Sequence, residues 1–146
     1  MKISIFYDEV NFRLRFSKKV KELIKKVIRD EKKNPGDLSF IFTTDSNLIE
    51  INRKFLEHDF FTDVIAFSGN DKKVINGEIY ISINTVRNNA NNYKVSLKEE
   101  ILRVMIHGTL HLCGYRDKKV SERIIMREKE NKWIKMANKS IYGIQA

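Results

Sequence analysis

Two segments with strand character flank one amphipathic helix near the start of the chain, and this order constrains the fold more than any other feature. Residues 2–7 place Ile3, Ile5 and Tyr7 at alternate positions, and residues 38–44 (LSFIFTT) are mostly β-branched and aromatic, as strands are. Ser17 is the predicted N-cap of the intervening helix, which residues 34–36 (NPG) should end. A helix between two strands permits a parallel crossover. The apolar stripe of this helix recurs at helical spacing: Val20, Leu23, Ile24, Val27 and Ile28.

The middle of the chain predicts an antiparallel pair of strands. Residues 64–68 and 74–83 have strand character, and the turn-rich residues 69–73 between them are too few for a parallel crossover. A short helix should precede this pair, beginning at Asp45 or Ser46 as its cap and running to residue 56.

The second half of the chain is predicted to be mainly helical. Residues 84–93 should form one helix despite their asparagines. Ser96 is the expected cap of the next helix, with Glu99 as its capping-box partner, and this helix should continue to residue 111. A final amphipathic helix should begin at Asp117 or Ser121 and end near residue 138.

The length and composition are those of one globular domain. The 146 residues are 42% hydrophobic and 32% charged, enough for one core and without a bias toward disorder. The elements predict a single α/β (α+β) domain over residues 1–146, with a small mixed four-stranded sheet and about five helices. The lone Cys113 excludes an internal disulfide and fits a reducing compartment. No run approaches the ~20 apolar residues of a membrane span, so we expect a cytoplasmic protein without a membrane partner.

A strong positive charge favours an anionic partner. The chain carries 28 Lys and Arg against 19 Asp and Glu, a formal net charge of +9. Nucleic acid is the commonest such partner of a small cytosolic domain, although lysine-rich surfaces also serve solubility. The first helix offers a basic row of candidate RNA contacts: Lys18, Lys21, Lys25, Lys26 and Arg29. A second basic cluster, for which a solvated surface is the simpler interpretation, occupies the last helix: Lys118, Lys119, Arg123, Arg127, Lys129, Lys132 and Lys135.

Two of the three histidines lie four residues apart, and this pair is the strongest candidate for chemistry. His107 and His111 would lie one above the other on a helix, close enough for both imidazoles to bind one ion. Gly114 can adopt the left-handed conformation that ends a helix, which would let the chain fold back. Asp117 could then add a carboxylate, giving an open zinc site of the catalytic type at the end of the central helix.

Each part of this site has a simpler interpretation. His-x-x-x-His occurs on helices by chance, and Asp117 could instead be the N-cap of the last helix. Cys113 is more typical of a buried structural thiol than of a ligand. The zincin peptidase motif requires a glutamate directly after its first histidine, where this chain has Gly108, and a metallopeptidase is therefore disfavoured.

The motif around the histidines resembles that of a known family. Residues 107–115 (HGTLHLCGY) are similar to the signature of the YbeY-type endoribonucleases, the bacterial ribosomal RNA maturation factors. Further similar segments follow the same order, at residues 51–55, 62–67 and 77–81, so the resemblance extends over roughly residues 38–118.

The resemblance implies a metal-dependent, single-strand-specific endoribonuclease that acts in late maturation of 16S ribosomal RNA and in ribosome quality control. It implies that zinc is bound by His107, His111 and the residue at position 117, and that the small ribosomal subunit is the partner. The family has a histidine at that third position, where this chain has Asp117. An aspartate would make the metal a weaker Lewis acid.

A second departure concerns a basic residue. The family has an arginine after the aromatic residue of its Asn-x-x-aromatic segment, where this chain has Leu56. Arg53, Lys54 or His58 could supply the charge instead, although exposed basic residues usually need no special role. The resemblance also suggests that the cleft is bordered by Thr62 and Asp63, for which a turn or cap is the ordinary interpretation.

Arg103 is a further candidate, one helical turn before His107. It could bind a phosphate at the metal, or form an ion pair with Glu100 on the same helix face. Three functions therefore stay open: a metal-dependent endoribonuclease with His107, His111 and Arg103 as catalytic residues, a non-catalytic RNA- or ribosome-binding factor, and a metal-dependent hydrolase of peptides or other substrates.

Overall fold

The computed structural model describes residues 2–56 and 64–143 and contains one four-stranded sheet. The strands are β1 (Ile3–Tyr7), β2 (Asn34–Thr43), β3 (Val64–Ser68) and β4 (Val74–Ser82), in the order β1-β2-β4-β3. β1 and β4 each pair with β2 in parallel, and β3 pairs with β4 antiparallel. The predicted α/β class and mixed sheet are confirmed.

Five α-helices accompany the sheet in the described residues. They are α1 (Ser17–Asp30), α2 (Asp45–Ile51), α3 (Ile83–Tyr93), α4 (Leu97–Leu112) and α5 (Val120–Ser140), and a π-helical segment (Asn52–Leu56) follows α2. Within the part of the chain that the structure describes, none of these helices combines the length and the apolar character needed to cross a bilayer.

One face of the sheet forms the core with the central helix α4. Alternate residues of the strands align in rows across this face, for example Ile5, Phe40 and Ile79. Gly108 of α4 lies against Ile79, because a Cβ built at Gly108 would be 2.9 Å from the Ile79 Cγ2. The glycine thus lets α4 approach the sheet closely.

The structure moves two predicted boundaries near α1. Ser17 is the first residue of α1 rather than its cap, because Phe16 precedes it in the left-handed conformation without a capping side chain. The chain turns at Lys32, which also has a left-handed φ, so residues 34–36 already belong to β2. The proline is tolerated there because the register with β4 shifts between Pro35 and Leu38, at a bulge.

One of two further predicted helix caps is confirmed. Ser96 caps α4 as predicted, since its hydroxyl accepts from the Glu99 amide at 3.2 Å. Thr44, rather than Asp45 or Ser46, caps α2.

The last helix begins at Val120, between the two predicted starts at Asp117 and Ser121. Its first turn is closed by Glu122, whose Oε1 accepts from the Lys119 amide at 2.8 Å. Asp117 and Ser121 are therefore not its caps, and the Asp117 carboxylate is available for another role.

Candidate metal centre

Helix α4 carries His107 and His111 on its solvent side, one turn apart. Gly108, Thr109 and Leu110 between them are buried, whereas 23% of the His107 side chain and 29% of that of His111 are exposed. The two Nε2 atoms lie 2.9 Å apart. The predicted pairing of the imidazoles on one helix face is confirmed.

A tight turn after α4 brings a carboxylate to the two imidazoles. Gly114 has a φ of +110°, which residues with a side chain rarely adopt, and the amide of Tyr115 donates back to the Leu110 carbonyl. The Oδ2 of Asp117 consequently lies 3.0 Å from the His107 Nε2 and 3.3 Å from the His111 Nε2. The three side chains form one group of potential metal ligands.

Hydrogen bonds at the opposite ring nitrogens orient both imidazoles. The Nδ1 of His107 lies 2.6 Å from Oε2 of Glu130, and the Nδ1 of His111 lies 2.9 Å from the carbonyl oxygen of Tyr115. Because both partners can accept, each Nδ1 can donate a hydrogen bond, and each Nε2 is turned toward Asp117. When each ring carries its proton on Nδ1, the two Nε2 atoms and the Asp117 Oδ2 can all bind one cation.

The ligand set fits a divalent metal ion. Two imidazole nitrogens and one carboxylate oxygen are the donors of open zinc sites, in which a fourth position remains for water or substrate. Tetrahedral zinc with bonds of 2.0–2.2 Å separates its ligand atoms by roughly 3.3 Å. The observed separations of 2.9, 3.0 and 3.3 Å need little adjustment to reach that value.

Glu130 of α5 contacts the candidate centre, although no motif in the sequence singled it out. Its side chain is only 5% exposed, and its second oxygen, Oε1, accepts from Arg103 at 3.0 Å. Glu130 of α5 therefore links Arg103 to His107, in addition to their common position on α4. A signal was present, because Glu130 falls among Met126, Trp133 and Ile134 on the buried side of α5, where an unpaired carboxylate would be costly.

The turn that holds His111 is itself tied to α1. The Tyr115 hydroxyl donates to Glu31, which also accepts from Lys129 at 2.9 Å. Burial, followed by the hydrogen bond to Glu31, raises the pKa of Tyr115 above its usual value, so that the hydroxyl stays protonated and donates. These contacts fix the backbone whose carbonyl orients His111.

Cys113 lies beside the centre without belonging to it. Its side chain packs against the hydrophobic core, and burial, with a smaller contribution from Glu31, raises the pKa of its thiol to about 12. A protonated thiol is a poor metal ligand, which agrees with the interpretation of Cys113 as structural.

A cleft of about 300 Å³ opens beside the three ligands, between α3, α4 and α5. It is lined by these described residues: Asn89, Tyr93, Glu100, Arg103, Val104, His107, Asp117, Arg123, Met126, Arg127 and Glu130. The candidate RNA contacts on α1 are not among them. Three of them are exposed on α1, outside the cleft: Lys18, Lys26 and Arg29. A fourth, Lys25, forms an ion pair with Glu22 at 3.1 Å.

Comparison with known proteins assigns the chain to one family. A family model described as Endoribonuclease YbeY matches residues 3–138. The chain belongs to the YbeY family. Endoribonuclease YbeY of Flavobacterium psychrophilum is 44% identical over 131 residues, covering 90% of this chain and 94% of the relative. The YbeY of Amoebophilus asiaticus is 42% identical over 140 residues, covering 95% of each.

A solved structure agrees with the fold. The solution structure of a protein from Thermotoga maritima superimposes with a TM-score of 0.67 at 28% identity. The match covers 97% of this chain and 93% of the other.

The two departures from the YbeY pattern differ in what the structure describes. Asp117, where the resemblance leads us to expect a histidine, lies 3.0 and 3.3 Å from the Nε2 atoms of the two imidazoles. The side chain of Leu56 lies outside the described part of the chain, as do His58, Thr62 and Asp63. Arg53 and Lys54 are exposed on the π-helical segment and are not among the described residues that line the cleft.

Proposed function

We propose that this YbeY protein is a metal-dependent endoribonuclease that cleaves single-stranded RNA. The observation that carries the proposal is the convergence of the His107, His111 and Asp117 acceptor atoms at the edge of a cleft, in a chain of this family. A single zinc ion is the proposed metal, since two imidazoles and one carboxylate are typical of catalytic zinc.

The residues around the ion have separate tasks in this proposal. Bound zinc would polarise a phosphoryl oxygen and lower the pKa of a coordinated water. Glu130 and the Tyr115 carbonyl hold the two imidazoles with their Nε2 atoms toward the ion, which fixes the site before substrate arrives. Arg103, 15% exposed and held by Glu130, offers its remaining N–H donors to a phosphate oxygen in the cleft.

The proposed substrate is ribosomal RNA of the small subunit, and the proposed location is the cytoplasm. The net charge of +9 supports a polyanionic substrate. The basic row of α1 (Lys18, Lys21, Lys25, Lys26 and Arg29) is proposed to add phosphate contacts away from the cleft, which strengthen binding without reading sequence.

Cleavage of a labelled single-stranded RNA by wild-type protein and by His111→Ala tests the activity. We expect the zinc-loaded wild type to cut the RNA, and the variant to lose the activity together with its metal. Lys135→Ala, an exposed change at a distance from the cleft, is purified in parallel and should cut like the wild type. Equal cleavage by His111→Ala would refute the proposal and point to a contaminating nuclease.

A second candidate function is a non-catalytic ribosome-binding factor in which the metal fixes the turn after α4. The aspartate at position 117, where the family pattern has a histidine, favours it because a carboxylate weakens the Lewis acid. If His107→Ala abolished cleavage but kept ribosome association and complementation of growth, binding would be the main role.

Peptidase chemistry has less support than either. A side chain at position 108 would point into Ile79 of the sheet and away from the ligands, so the general-base position of the zincin motif is closed.

A further inference from the structure

One wall of the cleft carries two arginines and an exposed aromatic ring. Arg123 and Arg127 of α5 and Tyr93 of α3 line the same cavity as His107 and Asp117. We propose that this wall is a subsite for single-stranded RNA, in which the two guanidinium groups bind successive backbone phosphates and the Tyr93 ring stacks on a base. The inference rests on the proposed nuclease function and names the residues that hold its substrate.

The charge of the cleft supports an anionic occupant. Among the residues that line it, three carboxylates (Glu100, Asp117 and Glu130) are balanced by three guanidinium groups (Arg103, Arg123 and Arg127). A divalent ion at the ligands would leave this lining with two positive charges. Partly enclosed positive charge attracts a polyanion more strongly than charge on an open surface does.

The two arginines are arranged to bind one strand together. They lie four residues apart on α5, so their side chains leave the same helix face. Arg127 is 58% exposed, and its contact with Oε1 of Glu130 is long at 3.9 Å, whereas Arg103 binds the same oxygen at 3.0 Å. A phosphate can therefore replace this contact at little cost.

Arg123 has a second task that must be separated from RNA binding. One of its guanidinium nitrogens donates to the carbonyl of Lys118, directly after Asp117. The guanidinium has five N–H donors, so the others remain to face a phosphate. Because the loss of Arg123 could also shift Asp117, Arg127 gives the cleaner test.

Tyr93 supplies a ring that the fold itself does not use in its core. It is 61% exposed at the last turn of α3, where Lys94 ends the helix in a left-handed conformation. Aromatic side chains beside a basic groove bind unstacked bases with little sequence preference, and duplex RNA cannot present its bases in this way. The wall would thus select single strands.

Binding of a fluorescent 2′-O-methyl RNA octamer, followed by anisotropy at several salt concentrations, tests the inference without requiring cleavage. The logarithm of the association constant falls as the logarithm of the salt concentration rises, and each phosphate contact to a single strand adds about 0.7 to the steepness of this fall. We expect Arg127→Met to make the slope less steep by about 0.7. The double change Arg123→Met with Arg127→Met should make it less steep by about 1.4. Tyr93→Ala should weaken binding roughly fivefold or more at unchanged slope, whereas Tyr93→Phe should bind like the wild type.

The matched control removes the same charge from the same helix. Lys135 and Lys139 are exposed on α5 and do not line the cleft, so the double change Lys135→Met with Lys139→Met should leave the slope within error of the wild type. Zinc content and thermal unfolding are measured for every variant, and Arg127→Met should keep both.

Two results would overturn the inference. One is a salt dependence that becomes less steep by the same amount in the lysine control and in the arginine variants. This result would mean that RNA is attracted by the overall positive charge of the protein rather than by the cleft. The other is an unchanged affinity in folded Arg127→Met and Tyr93→Ala. A wild type that binds the octamer through these residues but leaves ordinary RNA intact would instead refute the proposed nuclease activity alone.

Discussion

Replacing Glu130 by glutamine should weaken metal binding although Glu130 is not itself a ligand. Its Oε2 lies 2.6 Å from the His107 Nδ1, where it can accept a hydrogen bond, and its side chain is only 5% exposed, so little water can replace it. A carboxylate in this position raises the basicity of the imidazole and fixes its orientation, and loss of such a partner typically costs 10–100-fold in metal affinity. We therefore expect Glu130→Gln to lose about 1.4 to 2.7 kcal/mol of zinc-binding free energy.

The assay is competition for zinc against a chromophoric chelator at fixed pH. Glu128→Gln, an exposed change two residues away on the same helix, is the control and should bind zinc like the wild type. Thermal unfolding is recorded in parallel, because Glu130→Gln also removes the carboxylate that neutralises Arg103. Wild-type zinc affinity in folded Glu130→Gln would refute the reasoning that this carboxylate supports the centre.

Three further predictions concern stability and ionisation. Gly108→Ala should destabilise the fold by up to about 2 kcal/mol in denaturant unfolding, because overpacking against Ile79 outweighs the gain in helix propensity; a more stable variant would contradict this. Gly114→Ala should cost about 1–3 kcal/mol, because φ is +110° there, and unchanged unfolding would show that the turn is not strained. The hydrogen bond from Lys132 is the main reason that the pKa of Asp30 is lowered. The pair therefore stabilises the fold at pH values above the pKa of Asp30 in the unfolded chain, and this stabilisation is lost as the pH falls through the pKa of Asp30 in the folded protein. We expect Lys132→Met to raise the pKa of Asp30 in an NMR titration. It should lower the stability near neutral pH but not at pH values below the folded pKa.

The parts of the fold that followed from the sequence are those set by local patterns. The apolar stripe of α1 and the alternation of the strands each point to one buried face, and the short connection before β4 leaves only antiparallel pairing. The start of α1 could not be predicted, because Phe16 enters it through a left-handed conformation that carries no residue signature. The early start of β2 depends on a bulge that pairing with β4 creates.

The candidate site was predictable where its residues are close in sequence. The spacing of His107 and His111 sufficed to place both rings on one helix face. From the sequence, Asp117 could be either a metal ligand or a helix cap, because the choice depends on where α5 begins. In the structure the helix begins at Val120, and the Lys119 amide donates to Glu122 rather than to Asp117. Glu130 comes to the site only through the packing of α5 against α4, which no local pattern specifies.

Elemental analysis of the purified protein beside its ligand variants tests the central claim most directly. We expect one zinc per wild-type chain, loss of the metal in His107→Ala and His111→Ala, and weaker retention in Asp117→Ala during dialysis against a chelator. Equal metal content and affinity in the wild type and all three variants would contradict this claim, because the convergence of these three side chains would then have no part in metal binding.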